Sequence, residues 1–243
     1  PGRGRARARP SRVTGSLLSS RPLVLVALPE EAAALRRARR RTRDEPAFDL
    51  HVFGAGPLHA ARALEGLDPS RVIHAGFAGG LRPDAAAGDL FVIRRARDTR
   101  GEVEIPAGPA ARGARARGAR PADIRTVAAP LDAPMKARLA AEGGADLVDM
   151  ETAIVARAAQ ARGLDYCGLR IVSDAVTDEI PACVTASWDG DRFRTGVILA
   201  GLVRRPAVLP ELIALGRRAR TLSAALATHV LAILDAPDEE DDR

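Results

Sequence analysis

Lysine is almost missing from this chain. The 243 residues carry 37 lysines and arginines, and Lys136 alone among them is a lysine. The formal charge of +6 and a sequence pI near 10.6 invite a nucleic-acid or membrane partner. The arginines, however, sit amid abundant alanine and cluster in segments that look peripheral, at 3–12, 36–43 and 112–120. Compositional bias accounts for the charge better than a binding surface does. Aromatic residues make up only 3%, too few for a platform that stacks single-stranded nucleic acid. No nucleic-acid partner is expected.

Other absences narrow the field further. Two cysteines, Cys167 and Cys183, do not make a disulfide framework in a chain of this length. His51, His59, His74 and His229 show no paired spacing, so no metal site is indicated. His74, in an apolar strand, reads as a satisfied core residue. No apolar run reaches the ~20 residues that span a bilayer. Ser16-Leu17-Leu18 is too short for the core of a signal peptide, and the compartment reads as cytoplasm. There is no dinucleotide fingerprint, no P-loop GK[ST] and no GxSxG elbow. ATP, nicotinamide and serine-hydrolase chemistry lose their support, and no cofactor is expected.

What is present is alternation. Residues 1–20 are rich in Arg, Gly, Pro and Ser and read as a disordered basic arm. Residues 21–236 read as a single α/β domain, and 237–243 as an acidic tail. Leu23 to Ala27 is a continuous apolar run, as in a strand buried on both faces. Pro29 and Glu30-Glu31 then suit the first turn of a helix to Arg41. Further strands are predicted at 50–53, 71–75, 89–93, 124–127, 147–149 and 166–172. Helices are predicted at 58–67, 134–142, 152–162, 197–203, 209–215 and 222–234. Residues 101–120 read as a loop or flap. Such alternation argues for a largely parallel central sheet.

Several acids stand at the ends of these strands. Glu30 and Glu31 follow the first, and open sheets bind ligands at that edge. Glu151 follows the apolar Val148 and Met150 and opens a helix, while Ser173-Asp174 closes a strand. An ionised acid beside apolar residues is costly without a partner or a task. Gly76-Phe77-Ala78-Gly79-Gly80 follows the third strand, where glycines let the backbone approach a ligand or make a tight turn.

The ordered set of motifs resembles the nucleoside phosphorylase and nucleosidase superfamily. It comprises Val26-Ala27-Leu28-Pro29-Glu30-Glu31, Gly54-Ala55-Gly56, Gly76 to Leu81 with Gly88-Asp89, Val148-Asp149-Met150-Glu151-Thr152, and Arg170-Ile171-Val172-Ser173-Asp174. The branch it is most similar to holds the methylthioadenosine/S-adenosylhomocysteine nucleosidases and hopanoid-associated relatives that cleave adenosylhopane. That fold is a three-layer α/β/α sandwich around a mixed, partly barrel-like sheet. The resemblance implies that Asp174 protonates a departing purine, that Glu31 handles the attacking water, and that Glu151 clamps the ribose hydroxyls. It makes Met150, Ser173, Phe77, Gly79 and Arg170 substrate-binding, Asp149 structural, and the active form an oligomer. The adenine contact would fall near Val127-Ala128-Ala129. Phosphorylases of the superfamily usually place an arginine after the first strand and a serine in the glycine loop. Here Glu30-Glu31 and Phe77 stand in those places, which favours water over phosphate. Arg94 to Arg97, or a neighbouring subunit, would be the alternative source of a phosphate ligand. A non-catalytic nucleoside-binding or nucleic-acid-interacting module is the remaining alternative.

Overall fold

The computed structural model describes residues 21–41 and 48–235. The basic arm, the acidic tail and residue 236 lie outside the described residues. Eight strands form one sheet. They are β1 (Leu23–Val26), β2 (Asp49–Val52), β3 (Arg71–Gly80), β4 (Leu90–Asp98), β5 (Gly101–Glu104), β6 (Arg120–Thr126), β7 (Leu147–Asp149) and β8 (Asp165–Asp174). The helices are α1 (Pro29–Arg41), α2 (Pro57–Ala60), α3 (Pro109–Ala116), α4 (Ala133–Glu142), α5 (Thr152–Ala161), α6 (Ala182–Thr185), α7 (Thr195–Arg204) and α8 (Leu209–Leu234).

The sheet closes on itself. β3 pairs with β7, β7 with β6, β6 with β4, β4 with β8, and β8 returns to β3. These five strands make a mixed barrel; β1 and β2 extend it beyond β3, and β5 beyond β4. Most pairings are parallel, as alternation implies, and the sheet as a whole is mixed. β3–β7, β4–β8 and β4–β5 are antiparallel, because closing the ring brings strands of opposite direction together.

Side chains alternate across the strands, as the pleat requires. On β4, Phe91 and Ile93 join an apolar cluster shared with α5, while Leu90 and Val92 join one shared with α1, α3 and α8. Helices thus cover both faces of the sheet, the sandwich that the resemblance implied.

Other boundaries differ from those expected. Residues 101–120 are not a flap: β5 pairs with β4, and α3 buries Ala110, Ala111 and Ala114. The helix expected at 58–67 stops at Ala60 and continues as tight turns, Arg62 donating to the His59 carbonyl and Glu65 to that of Arg62. The two final helices are one, α8, because Gly216 is a tolerable cost within so long a helix. Gly76 to Gly80 is the second half of β3 rather than a turn after it. No helix among the described residues is long and apolar enough to cross a membrane.

Candidate active site

A cavity of about 160 Å³ opens where the C-terminal ends of β1, β3 and β8 meet the end of β7. Glu31 comes from the first turn of α1, Met150 and Glu151 from the β7–α5 junction, and Ser173 and Asp174 from the end of β8. Phe77 and Gly79 form a wall from β3; Val127, Ala129, Pro130 and Leu131 form another after β6. Ile180 and Phe193 line the cavity from the segment after β8. Glu30, by contrast, is exposed.

Glu31 is buried, and its carboxylate is held by the backbone. Ala27 and Leu28 donate to Oε2 at 2.9 and 2.8 Å, and Phe77 donates to Oε1 at 2.8 Å. Gly76 makes this possible, since a Cβ there would lie 2.9 Å from Oε1. Burial pushes the carboxyl above the usual range, opposed by these N–H donors and by Arg170. Three donors leave acceptor capacity on Oε1 for one small ligand.

Glu151 accepts from Gly56 N–H at 2.6 Å, and burial with the nearby charge of Asp149 pushes it up to about 8. Gly56 has φ of +94°, a conformation that favours glycine. The turn after β2 is thus shaped to aim one N–H at this acid.

Asp174 is placed by a β-bulge. Ala78 pairs with Val172 and Gly79 with Asp174, so Ser173 has no partner in the ladder. Bulges re-aim neighbouring side chains. The Ser173 hydroxyl donates to Asp174 Oδ1, and Lys136 Nζ lies 2.6 Å from Oδ2. Lys136 comes from α4, whose N-terminus Asp132 caps by accepting from Met135 N–H at 2.8 Å.

Arg170 is where the structure departs from the residues expected at the site. It does not line the cavity. Its guanidinium lies beneath the floor, donating to Asp149 Oδ2 at 3.1 Å, to the His74 carbonyl at 2.7 Å and to Thr152 Oγ1 at 2.7 Å. Asp149 is the structural acid expected, accepting also from Thr126 Oγ1 at 2.8 Å and from the Thr152 hydroxyl and backbone N–H. His74 is the satisfied core residue expected. Its Nδ1 lies 2.8 Å from the Tyr166 hydroxyl, and burial beside Arg170 lowers its pKa so that the ring stays neutral.

Arg94, Arg95 and Arg97 also lie outside the cavity, pairing with Asp123, Glu102 and Glu104. Lys136 was missed as a site residue, although its being the only lysine was visible. Ile180 and Phe193 were missed too, since nothing local marks them; Gly56 stands in the Gly54-Ala55-Gly56 motif, but its N–H partner Glu151 is visible only in the fold. No cluster of His, Cys, Asp and Glu among the described residues could hold a metal ion.

Comparison with known proteins bears on the fold. Residues 131–194 match the family model described as the phosphorylase superfamily. No curated protein matches the chain. Among solved structures it is similar to the 5′-methylthioadenosine/S-adenosylhomocysteine nucleosidase of Campylobacter jejuni, with 18% identity, 88% of this chain and 98% of that one covered, and a TM-score of 0.64. The futalosine hydrolase of Helicobacter pylori matches with 16% identity, 90% and 99% coverage and a TM-score of 0.63. The 5′-methylthioadenosine nucleosidase of Arabidopsis thaliana gives 16%, 90% and 97%, and 0.62. The resemblance in the ordered motifs is thus met by a family model over one segment and by the architecture over most of the chain, and the fold is that of the phosphorylase superfamily.

Proposed function

We propose that the chain is an enzyme that cleaves the N-glycosidic bond of a purine nucleoside, an adenine nucleoside with an apolar 5′ substituent, using water. The observation that carries the proposal is the convergence of Glu31, Glu151 and Asp174 on one cavity. These acids are far apart in sequence and come from three different junctions of the fold.

Each acid has a task in that reaction. As C1′–N9 breaks, the electron pair leaves with the base. A proton that Asp174 takes up from solvent passes to N7, so the base departs neutral. The sugar becomes cationic at C1′, which a carboxylate at Glu31 favours, as does Glu151 once ribose hydroxyls donating to it shift it to its ionised form. Glu151 accepts from the ribose hydroxyls. Water attacks C1′ and gives its proton to Glu31, which passes it to solvent; the products are free base and a ribose. Met150, Phe77, Ile180 and Phe193 offer apolar surface to the sugar and its 5′ group.

Water rather than phosphate is supported by the charges in the lining. Lys136 is the only Lys or Arg there, and all three of its N–H groups are already used. Glu31 would repel a phosphate dianion.

The test is incubation with 5′-methylthioadenosine and other 5′-substituted adenosines, with and without phosphate, and identification of the sugar. Free ribose derivative and adenine without phosphate are expected. Product only with phosphate, as a ribose 1-phosphate, would establish the phosphorylase instead. Asp174→Asn is expected to lower kcat by about 10²–10⁴-fold in protein whose folding is verified by its melting curve. A full rate in that variant would refute the assignment of the acid.

A further inference from the structure

The chain's single lysine is buried in the wall of the cavity, and we infer that Lys136 is a positioning residue for Asp174. It locks the acid's orientation and keeps a positive charge beside it while the base departs. This rests on the proposed cleavage reaction.

The geometry is specific. Lys136 is 1% exposed. Removing an ammonium from water costs several kcal/mol unless it is paired, and a buried pair is weak evidence for stability. Nζ has three hydrogens and three acceptors: Asp174 Oδ2 at 2.6 Å, the Ala175 carbonyl at 2.5 Å and the Asp178 carbonyl at 3.1 Å. A tetrahedral ammonium serves three oxygens that converge on one point; a planar guanidinium fork does not. Hence the single lysine of this arginine-rich sequence stands where three oxygens converge on one point. The surroundings are cut to fit, since a Cβ on Gly79 would lie 3.3 Å from Asp174 Oδ2 and 3.5 Å from Lys136 Cδ.

The lysine also completes the proton transfer. Asp174 takes up a proton from solvent as the nucleoside binds, and when it passes that proton to N7 it returns to the carboxylate that faces the ammonium. The ammonium facing Oδ2 neutralises that charge, so none is stranded. Ser173 holds Oδ1 from the other side. With its three N–H groups taken by protein oxygens, Lys136 acts through Asp174.

Two substrates separate this role from a structural one. In 5′-methylthioadenosine the leaving group needs a proton. In a 4-nitrophenyl riboside with the same 5′ group it does not. Lys136→Gln, which keeps a donor but loses the charge, is expected to lower kcat on the adenosine derivative by about 10²-fold with KM nearly unchanged. On the nitrophenyl riboside its rate should stay close to that of the unsubstituted enzyme. Equal losses on both substrates, or no loss on the adenosine derivative, would overturn the inference. Lys136→Arg keeps the charge with the wrong shape and is expected to show the same selective loss. Should Lys136→Gln fail to fold, the same outcomes measured on Lys136→Arg support or overturn the role. Asp174→Asn run in parallel distinguishes the two proposals. Its full activity on the adenosine derivative would sink the cleavage reading, whereas its loss alongside undiminished Lys136 variants would sink only the lysine's role.

Discussion

At Glu151 the surroundings work against ionisation. Burial is the larger cause and the neighbouring Asp149 charge the next, and together they push the carboxyl from 4.5 to about 8. In that interval the folded chain keeps a proton that the unfolded chain has released. The group's stabilising contribution is therefore full below the unfolded value and is lost as pH rises through about 8. The melting temperature is expected to fall as pH is raised across this window, and to fall less in Glu151→Gln. Each ~1 kcal/mol should move it by roughly 2–4 °C at this chain length. Parallel melting curves for the two proteins across the window would contradict this. Ribose hydroxyls donating to the carboxylate would favour its ionised form, so a bound nucleoside should weaken the trend. The acids themselves were legible in the sequence, because carboxylates beside apolar residues at strand ends need a reason. Arg170 was misplaced because its neighbours in sequence are site residues. The bulge at Ser173 breaks the alternation along β8, and Arg170 is spent on the buried partners Asp149, His74 and Thr152.

At the level of elements, the turn between β2 and α2 does more than its length suggests. Gly56 donates to Glu151 from 95 residues away in sequence, in a backbone conformation with positive φ. A Cβ there would lie 2.5 Å from the Trp188 ring. Gly56→Ala is expected to cost about 1–3 kcal/mol in backbone strain. It should also raise KM for the nucleoside, since the ribose clamp loses its anchor and the Trp188 segment is displaced. Denaturant unfolding and steady-state kinetics check both halves, and unchanged KM and stability would refute the account. Most elements could be read from periodicity, from β1 and its helix-opening Pro29 to β8 ending at Asp174. Residues 101–120 could not. Their glycines, prolines and arginines signal a loop, yet β5 is held by pairing with β4 and α3 by three buried alanines. Tertiary contacts there outweigh local propensity.

For the whole molecule, Arg170 ties the ring together. Its guanidinium joins β8 to Asp149 at the end of β7, to the His74 carbonyl of β3 and to Thr152 at the start of α5. Asp149 is itself buried, so removing the cation leaves an uncompensated charge. Arg170→Met is expected to destabilise the fold by about 3–5 kcal/mol. Chemical denaturation measures it, and a loss below ~1 kcal/mol would show that the hub is dispensable. The same guanidinium lies near Glu31 and Glu151 and opposes the upward shift that burial gives both carboxyls. Stability and site electrostatics are therefore joined in one residue.

The amino-acid sequence by itself determined the class of the fold, the order of most strands and helices, and which acids and glycines merit attention. Those features follow from local composition and period, which each segment carries with it. The closure of the barrel, the bulge that leaves Ser173 out of the ladder, and the meeting of Lys136 with Asp174 were decided only in three dimensions. Each depends on contacts between residues distant in the chain. A buried ammonium shows no local signature beyond its residue type; only the fold says which three oxygens it serves.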